Sequence, residues 1–148
     1  MPQTIDDLLA AARARLDRLD PTATRDAAAS GALIVDTRCA EARHASGVIP
    51  GSVHVPLSVL YWRLDRTSGH ADQTLADRER QIILVCADGY SSSLAAATLR
   101  DLGFARATDL AGGFNGWIAA GMPVERAGSR QPRAAAERSP SPRRPTTT

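Results

Sequence analysis

Cys86 stands where a thiol can act as a nucleophile. It lies in residues 81–103, QIILVCADGYSSSLAAATLRDLG, directly after an apolar run and before a stretch of helical periodicity. A strand-to-helix turn can aim several backbone N–H groups at one point, with the positive end of the helix dipole facing the same way, so an anion is favoured there. The anion this stretch offers is a thiolate, or the persulfide formed when a thiolate takes the outer sulfur of a donor. Gly89 would let the backbone pass close to that sulfur, and Ser91, Ser92 and Ser93 are available as helix N-caps. A cysteine that closes an apolar strand is also a common inert core residue, and position alone does not separate the two readings. The other cysteine, Cys39, is 47 positions away, so neither a CxxC redox pair nor a disulfide framework is suggested. His44, His54 and His70 have neither ligand spacing nor a cysteine neighbour, so no metal and no cofactor is expected.

The elements that must position this thiol can be read from the apolar pattern. Ile82, Ile83, Leu84 and Val85 form a continuous run suited to a strand covered on both faces of a parallel sheet. Leu33, Ile34 and Val35 form another and deliver Asp36-Thr37-Arg38 at its end, where α/β sheets place function. Val53, His54 and Val55, and residues 107–110, are shorter strand candidates.

Between the strands the period changes to that of helices. Thr4 and Asp7 have capping-box spacing, and Ile5, Leu8, Leu9, Ala12, Leu16 and Leu19 then share one face opposite Arg13, Arg15 and Arg18. Asp20-Pro21 opens a second short helix that Gly31 would stop. Leu57, Leu60, Tyr61 and Leu64 predict a turn or two, and Leu94, Ala95, Thr98, Leu99 and Leu102 a full helix closed by Gly103. Phe114, Trp117 and Ile118 give one more before Gly121 and Pro123. Residues 66–80 are polar without a period and read as exposed surface. Strands alternating with helices specify an α/β parallel sheet flanked by helices on both faces.

Composition bounds the rest. With 148 residues the chain fits one domain, and a second catalytic domain has no room. Its net charge of +2 does not argue for nucleic acid, and all 18 basic residues are Arg. In residues 127–148 five Arg against one Glu give +4, which leaves residues 1–126 at −2. That tail lacks Val, Leu, Ile and aromatics, so it cannot bury enough surface to offset its ordering entropy and is expected to be disordered. The expected organisation is an N-terminal helical extension over 1–30, a folded α/β domain over 31–126 and the Arg/Pro/Ser-rich tail over 127–148. No apolar stretch approaches the ~20 residues of a spanning helix. The expectation is therefore a soluble cytoplasmic protein in a reducing compartment, with no membrane and no nucleic-acid partner.

Three stretches, over about residues 31–124, resemble the single-domain rhodanese sulfurtransferase family. They are Asp36-Thr37-Arg38 with the later turn Gly47-Val48-Ile49-Pro50-Gly51-Ser52; the loop Cys86-Ala87-Asp88-Gly89-Tyr90-Ser91 with Ser92 after it; and Gly112-Gly113-Phe114-Asn115-Gly116-Trp117 running on to Gly121-Met122-Pro123-Val124. The resemblance implies a rhodanese-like parallel sheet with helices on both faces. It implies Cys86 as the catalytic nucleophile, Ala87, Asp88, Gly89, Tyr90, Ser91 and Ser92 as the substrate-binding loop, and Asp36 and Arg38 as supporting residues near it.

The implied activity is formation of a persulfide on Cys86 and transfer of that sulfur to a thiol or cyanide. The alternative is a non-catalytic rhodanese-fold binding or redox-sensing module. Many family members carry Arg at the sixth loop position, where this chain has Ser91. The related phosphatases need an Arg six positions after the cysteine, and Ser92 stands there, which argues against phosphatase activity. A neutral Ser91 beside an acidic Asp88 predicts that thiosulfate is a poor donor and that a small persulfide, or a persulfide-carrying protein, is a better one. On this reading Asp88 also raises the thiol pKa.

Overall fold

The computed structural model describes residues 1–128. The four predicted apolar runs form strands β1 (Leu33–Asp36), β2 (Val53–His54), β3 (Ile82–Val85) and β4 (Ala107–Asp109), all parallel, in the order β2-β1-β3-β4. Every residue of β1 and β3 is buried, as continuous apolar runs in the middle of a covered sheet require. From β1 the chain goes outward to β2, then crosses back to β3 on the other side. The carboxyl ends of β1 and β3 therefore flank the point where the winding reverses, the place where open α/β sheets form a crevice. Cys86 follows β3 at that point, and Thr37, just after β1, ties the two strand ends by donating its N–H (2.8 Å) and its hydroxyl (3.0 Å) to the Val85 carbonyl.

Helices α1 (Ile5–Ala14), α2 (Pro21–Ala29), α3 (Ala40–Ser46), α4 (Leu60–Leu64, preceded by a 3₁₀ turn at Leu57–Val59), α5 (Ser91–Asp101) and α6 (Gly113–Ala119) cover the sheet. Alternation along the strands splits the core in two. Leu33, Val35, Ile82 and Leu84 pack on one face with Leu60, Leu64, Ala95, Ala96, Leu99 and Phe104. Ile34, Ile83 and Val85 pack on the other with Ile49, Leu110, Phe114 and Trp117. Among the described residues no helix is long and apolar enough to cross a membrane.

Local signals explain most boundaries. Thr4 and Asp7 close a reciprocal capping box at the start of α1, and the Asp20 carboxylate caps α2 with Pro21 in its first turn. Three details differ from the sequence reading. Helix α1 stops at Ala14 rather than running on to Leu19, because Leu19 instead makes a parallel bridge to Leu110 beside β4. Helix α3 was not predicted: it has seven residues, Cys39 as its N-cap, and four polar side chains that mask any period. Tyr90, not a serine, is the N-cap of α5, and it makes no side-chain capping bond. Ala127 and Gly128 are described; the remainder of the expected tail, 129–148, lies outside the described residues.

The fold reaches the active loop through Gly113. At φ +61° it occupies left-handed backbone, and an added Cβ would come within 2.6 Å of the Cys86 carbonyl and 2.7 Å of the Ala87 carbonyl. Only glycine lets α6 press this closely on the loop. Gly113→Ala is expected to lower stability by roughly 2–5 kcal/mol, from left-handed strain plus backbone overlap. Thermal unfolding of the variant would check this, and an unchanged melting temperature would contradict the contact.

Candidate active site

The loop after β3 must turn its N–H groups toward Cys86, so its carbonyls need donors elsewhere. Helix α6 supplies two: Phe114 N–H donates to the Cys86 carbonyl at 2.8 Å and Asn115 N–H to that of Ala87 at 3.0 Å. Gly89, at φ +85°, then points its own N–H at Cys86 Sγ from 3.1 Å. Ser92 Oγ lies 3.2 Å from the same sulfur. Cys86 is only 7% exposed, ringed at the surface by the exposed residues Ala87, Asp88, Tyr90 and Ser91. Burial pushes the thiol pKa up, but hydrogen bonds from the side chains of Ser92 and Ser91 and from the backbone N–H groups of Ser92 and Gly89 outweigh it, and the net pKa is lowered. The arrangement favours a thiolate without a metal.

The structure brings Cys86, Gly89, Ser91 and Ser92 together at the sulfur, while Asp88, Tyr90, Asp36 and Arg38 are not among the groups acting on it. Asp88 is not among the groups acting on the thiol. Its Oδ1 accepts a 2.7 Å bond from Asn115 Nδ2 at the exposed surface, which corrects the expectation that it raises the thiol pKa. Tyr90 is 62% exposed, with the Arg13 guanidinium 5.5 Å from its ring centre.

Asp36 and Arg38 form a buried ion pair at 2.8 and 3.0 Å, joined by Arg43 at 3.2 Å. Arg38 also donates to the Gly47 carbonyl, fixing the turn after α3. Its guanidinium lies 3.8 Å over the Phe114 ring, so this pair meets the loop through α6 rather than by a polar contact with Cys86. Cys39 is exposed and caps α3 through its sulfur. A hollow of about 510 Å³ lined by His54, Asp72 and Glu125, among others, contains no residue of the loop.

Three residues that the sequence did not mark belong to this site. Asp109, fully buried at the end of β4, accepts from Ser92 Oγ at 2.7 Å and from Ser93 Oγ at 2.8 Å. Arg18 pairs with the same carboxylate at 2.9 Å and donates to the Gly89 carbonyl at 3.0 Å. Arg13 donates to that carbonyl at 2.8 Å and to Ser93 Oγ at 3.2 Å. Asp109 carried the same strand-end signal as Asp36. Arg13 and Arg18 read as the solvated face of a helix, and their partners lie 71 to 91 positions away.

The chain that builds this loop, with Gly112 and Gly113 opening α6, is similar in sequence and fold to known proteins. The chain is 36% identical over 102 residues to thiosulfate sulfurtransferase GlpE of Ectopseudomonas mendocina (strain ymp), covering 69% of this chain and 84% of that protein. A structure from Rhodopseudomonas palustris CGA009, of a protein of unknown function described as a possible tyrosine phosphatase, superposes with TM-score 0.76 at 31% identity, over 84% of this chain and 99% of that one. The human single-domain sulfurtransferase TSTD1 superposes with TM-score 0.59 at 26% identity, over 69% of this chain and 95% of that one. The model of the rhodanese-like domain matches residues 20–120, more than half of the sequence, and the chain therefore belongs to the rhodanese-like domain family.

Proposed function

We propose that this protein is a sulfurtransferase that carries sulfur as a persulfide on Cys86. The observation that carries the reading is the buried thiol faced by the Gly89 N–H and the Ser92 hydroxyl at 3.1 and 3.2 Å. The thiolate attacks the outer sulfur of a donor, the donor's S–S bond breaks, and the leaving group departs with the electron pair. An acceptor thiolate or cyanide then attacks the outer sulfur of the persulfide, and Cys86 leaves as the thiolate. The atoms and electrons balance without a cofactor. The same N–H donors that favour the thiolate suit the persulfide anion and the leaving thiolate alike.

The Rhodopseudomonas palustris protein's description raises phosphatase activity as a rival. Phosphate transfer needs a cation on the transferred group. Here Ser92 occupies the position of the phosphatase arginine, and Arg13 and Arg18 are engaged by the Gly89 carbonyl and, for Arg18, Asp109. Hydrolysis of p-nitrophenyl phosphate dependent on Cys86 would favour that rival.

For the sulfurtransferase reading, incubation of the reduced protein with a small persulfide is expected to add one sulfur atom to Cys86, seen by intact mass. Cys86→Ser should abolish loading with the fold intact, while Cys39→Ser should load normally. Full loading of Cys86→Ser would falsify the assignment. A binding or redox-sensing module would gain no transferable sulfur. Because the reactive form is the thiolate and its pKa is lowered, the loading rate should rise with pH and reach its plateau below the pH at which free cysteine, measured alongside, does.

Donor choice follows from charge at the mouth. Asp88 is exposed there, and no arginine stands in the loop sequence to attract a dianion. Thiosulfate is accordingly a weaker donor than a small persulfide. Asp88→Asn should raise the thiosulfate rate roughly two- to threefold at low salt, with the gain shrinking at high salt, as for a screened surface charge. The thiol titration should not move, since Asp88 is bound by Asn115 and does not contact the sulfur. An unchanged thiosulfate rate at low salt would remove Asp88 from the account of donor choice.

A further inference from the structure

The N-terminal segment ahead of the family match, which begins at residue 20, is held against the active loop at two points. Residues 17–19 run along the outer edge of β4: Leu19 N–H donates to the Asp109 carbonyl at 3.1 Å, Ala111 N–H to that of Leu19 at 2.8 Å, and Thr108 Oγ1 to that of Asp17 at 2.8 Å. That edge pairing delivers Arg18 to the Asp109 side chain. Helix α1 delivers Arg13 to Gly89 and Ser93.

Ser92 has one hydroxyl proton and two groups that want it. When Cys86 is a thiol, its S–H can donate to Ser92 Oγ while Ser92 donates to Asp109 Oδ2. When Cys86 is a thiolate, Ser92 must turn that proton to the sulfur, and Asp109 loses a donor. A fully buried carboxylate tolerates this only if its other partners suffice. Asp109 keeps Ser93 at 2.8 Å on Oδ2 and Arg18 on both oxygens, at 2.9 and 3.2 Å.

Resting on the sulfurtransferase reading, we infer that Arg18 is a positioning residue of the active site, which by holding the charge of Asp109 releases the Ser92 hydroxyl to donate to the Cys86 thiolate. Arg13 has the complementary task of gripping the Gly89 carbonyl, so that the Gly89 N–H stays on the sulfur. The charged groups around the loop are Asp109 from β4, Arg13 and Arg18 from the N-terminal segment, Asp88 in the loop, and the Asp36–Arg38 pair that meets it through Phe114. Of these, Asp109 is the one bonded to a hydroxyl that touches the sulfur.

The test is the pH dependence of Cys86 alkylation by iodoacetamide, on full chains carrying Cys39→Ser so that one thiol reports. This readout needs no sulfur donor, so it stands apart from the mass measurement that decides the sulfurtransferase reading. Arg18→Met is expected to slow alkylation at pH 7 roughly three- to tenfold by moving the thiol titration to higher pH. Arg18→Lys should recover part of the loss, since it restores the charge without the forked geometry. Asp109→Asn in the Arg18→Met background should recover it too, because the competing anion is gone. Adding Arg18→Met to Asp109→Asn should change the rate by less than about twofold, a comparison that leaves no buried charge unpaired even if Arg18→Met alone fails to fold. A wild-type titration for folded Arg18→Met overturns the proposal. So does a loss that Asp109→Asn fails to reverse, for that would make Arg18 a structural prop of the loop.

Discussion

A short loop can turn its N–H groups onto one sulfur atom only if its carbonyl oxygens find donors on the other side, since a buried unpaired carbonyl costs more than the contact gains. Much of this molecule answers that constraint. The Cys86 and Ala87 carbonyls are taken by the Phe114 and Asn115 N–H groups in the first turn of α6, which can come so near because Gly113 has no side chain. The Gly89 carbonyl is taken by two guanidinium groups from the N-terminal segment, and the Tyr90 carbonyl by Ser93 N–H inside α5. Three parts of the chain far apart in sequence thus converge to leave one face of the loop free for sulfur. The sheet decides where this happens, because the reversal of winding between β1 and β3 leaves room for a loop there.

Two buried carboxylates at strand ends frame the site, and their surroundings give them different work. Asp36 is held by Arg38 and Arg43, whose remaining contacts go to the Gly47 carbonyl and the Phe114 ring; it organises the turn and steadies α6. Removing one partner of such a pair typically costs about 3–5 kcal/mol, because a charge is stranded, so this cluster governs stability first. Among the described residues Asp109 has a single guanidinium partner and two serine hydroxyls, one of which lies on the sulfur. A hydroxyl can reverse its role between donor and acceptor, whereas a guanidinium can only donate. That difference connects Asp109 to the state of the thiol and leaves Asp36 without such a link.

The strands were legible because buried parallel strands require continuous apolar runs, and Leu33, Ile34, Val35 and residues 82–85 supply them. The position of Cys86 and the cap signals at Thr4, Asp20 and Gly103 were legible because they are local. What escaped was either short or long-range. Helix α3 has too few residues for a period to emerge from Glu41, Arg43 and His44. Leu19 fitted the apolar face of α1 by spacing, yet pairing with β4 claimed its backbone, a tertiary preference that spacing cannot express. Arg13 and Arg18 are indistinguishable in sequence from Arg15, which makes an exposed ion pair with Asp101. Which of them face the loop depends on how α1 docks on α5 and on the pairing of residues 17–19 with β4. For Asp88 the charge was legible but its direction was not, because Asn115 lies 27 positions away.

An arginine inside the loop would do two things at once: favour the thiolate and attract an anionic donor to it. In this chain the two effects are separated. The guanidinium groups that support the loop bind the Gly89 carbonyl and the Asp109 carboxylate, so their charge is largely committed to protein partners. Around the mouth stand Ala87, Asp88, Tyr90 and Ser91, which offer an acid, a hydroxyl and an exposed aromatic ring but no cation in the loop itself. Activation by backbone and hydroxyl donors depends on fixed geometry and is little affected by salt, whereas attraction of a dianion to an exposed site is long-ranged and screened. A site built this way can hold a reactive thiolate without drawing in small anions. Under the proposed function it would select instead for donors recognised by contact, such as a persulfide presented on a larger thiol, for which the tyrosine ring offers apolar surface at the entrance.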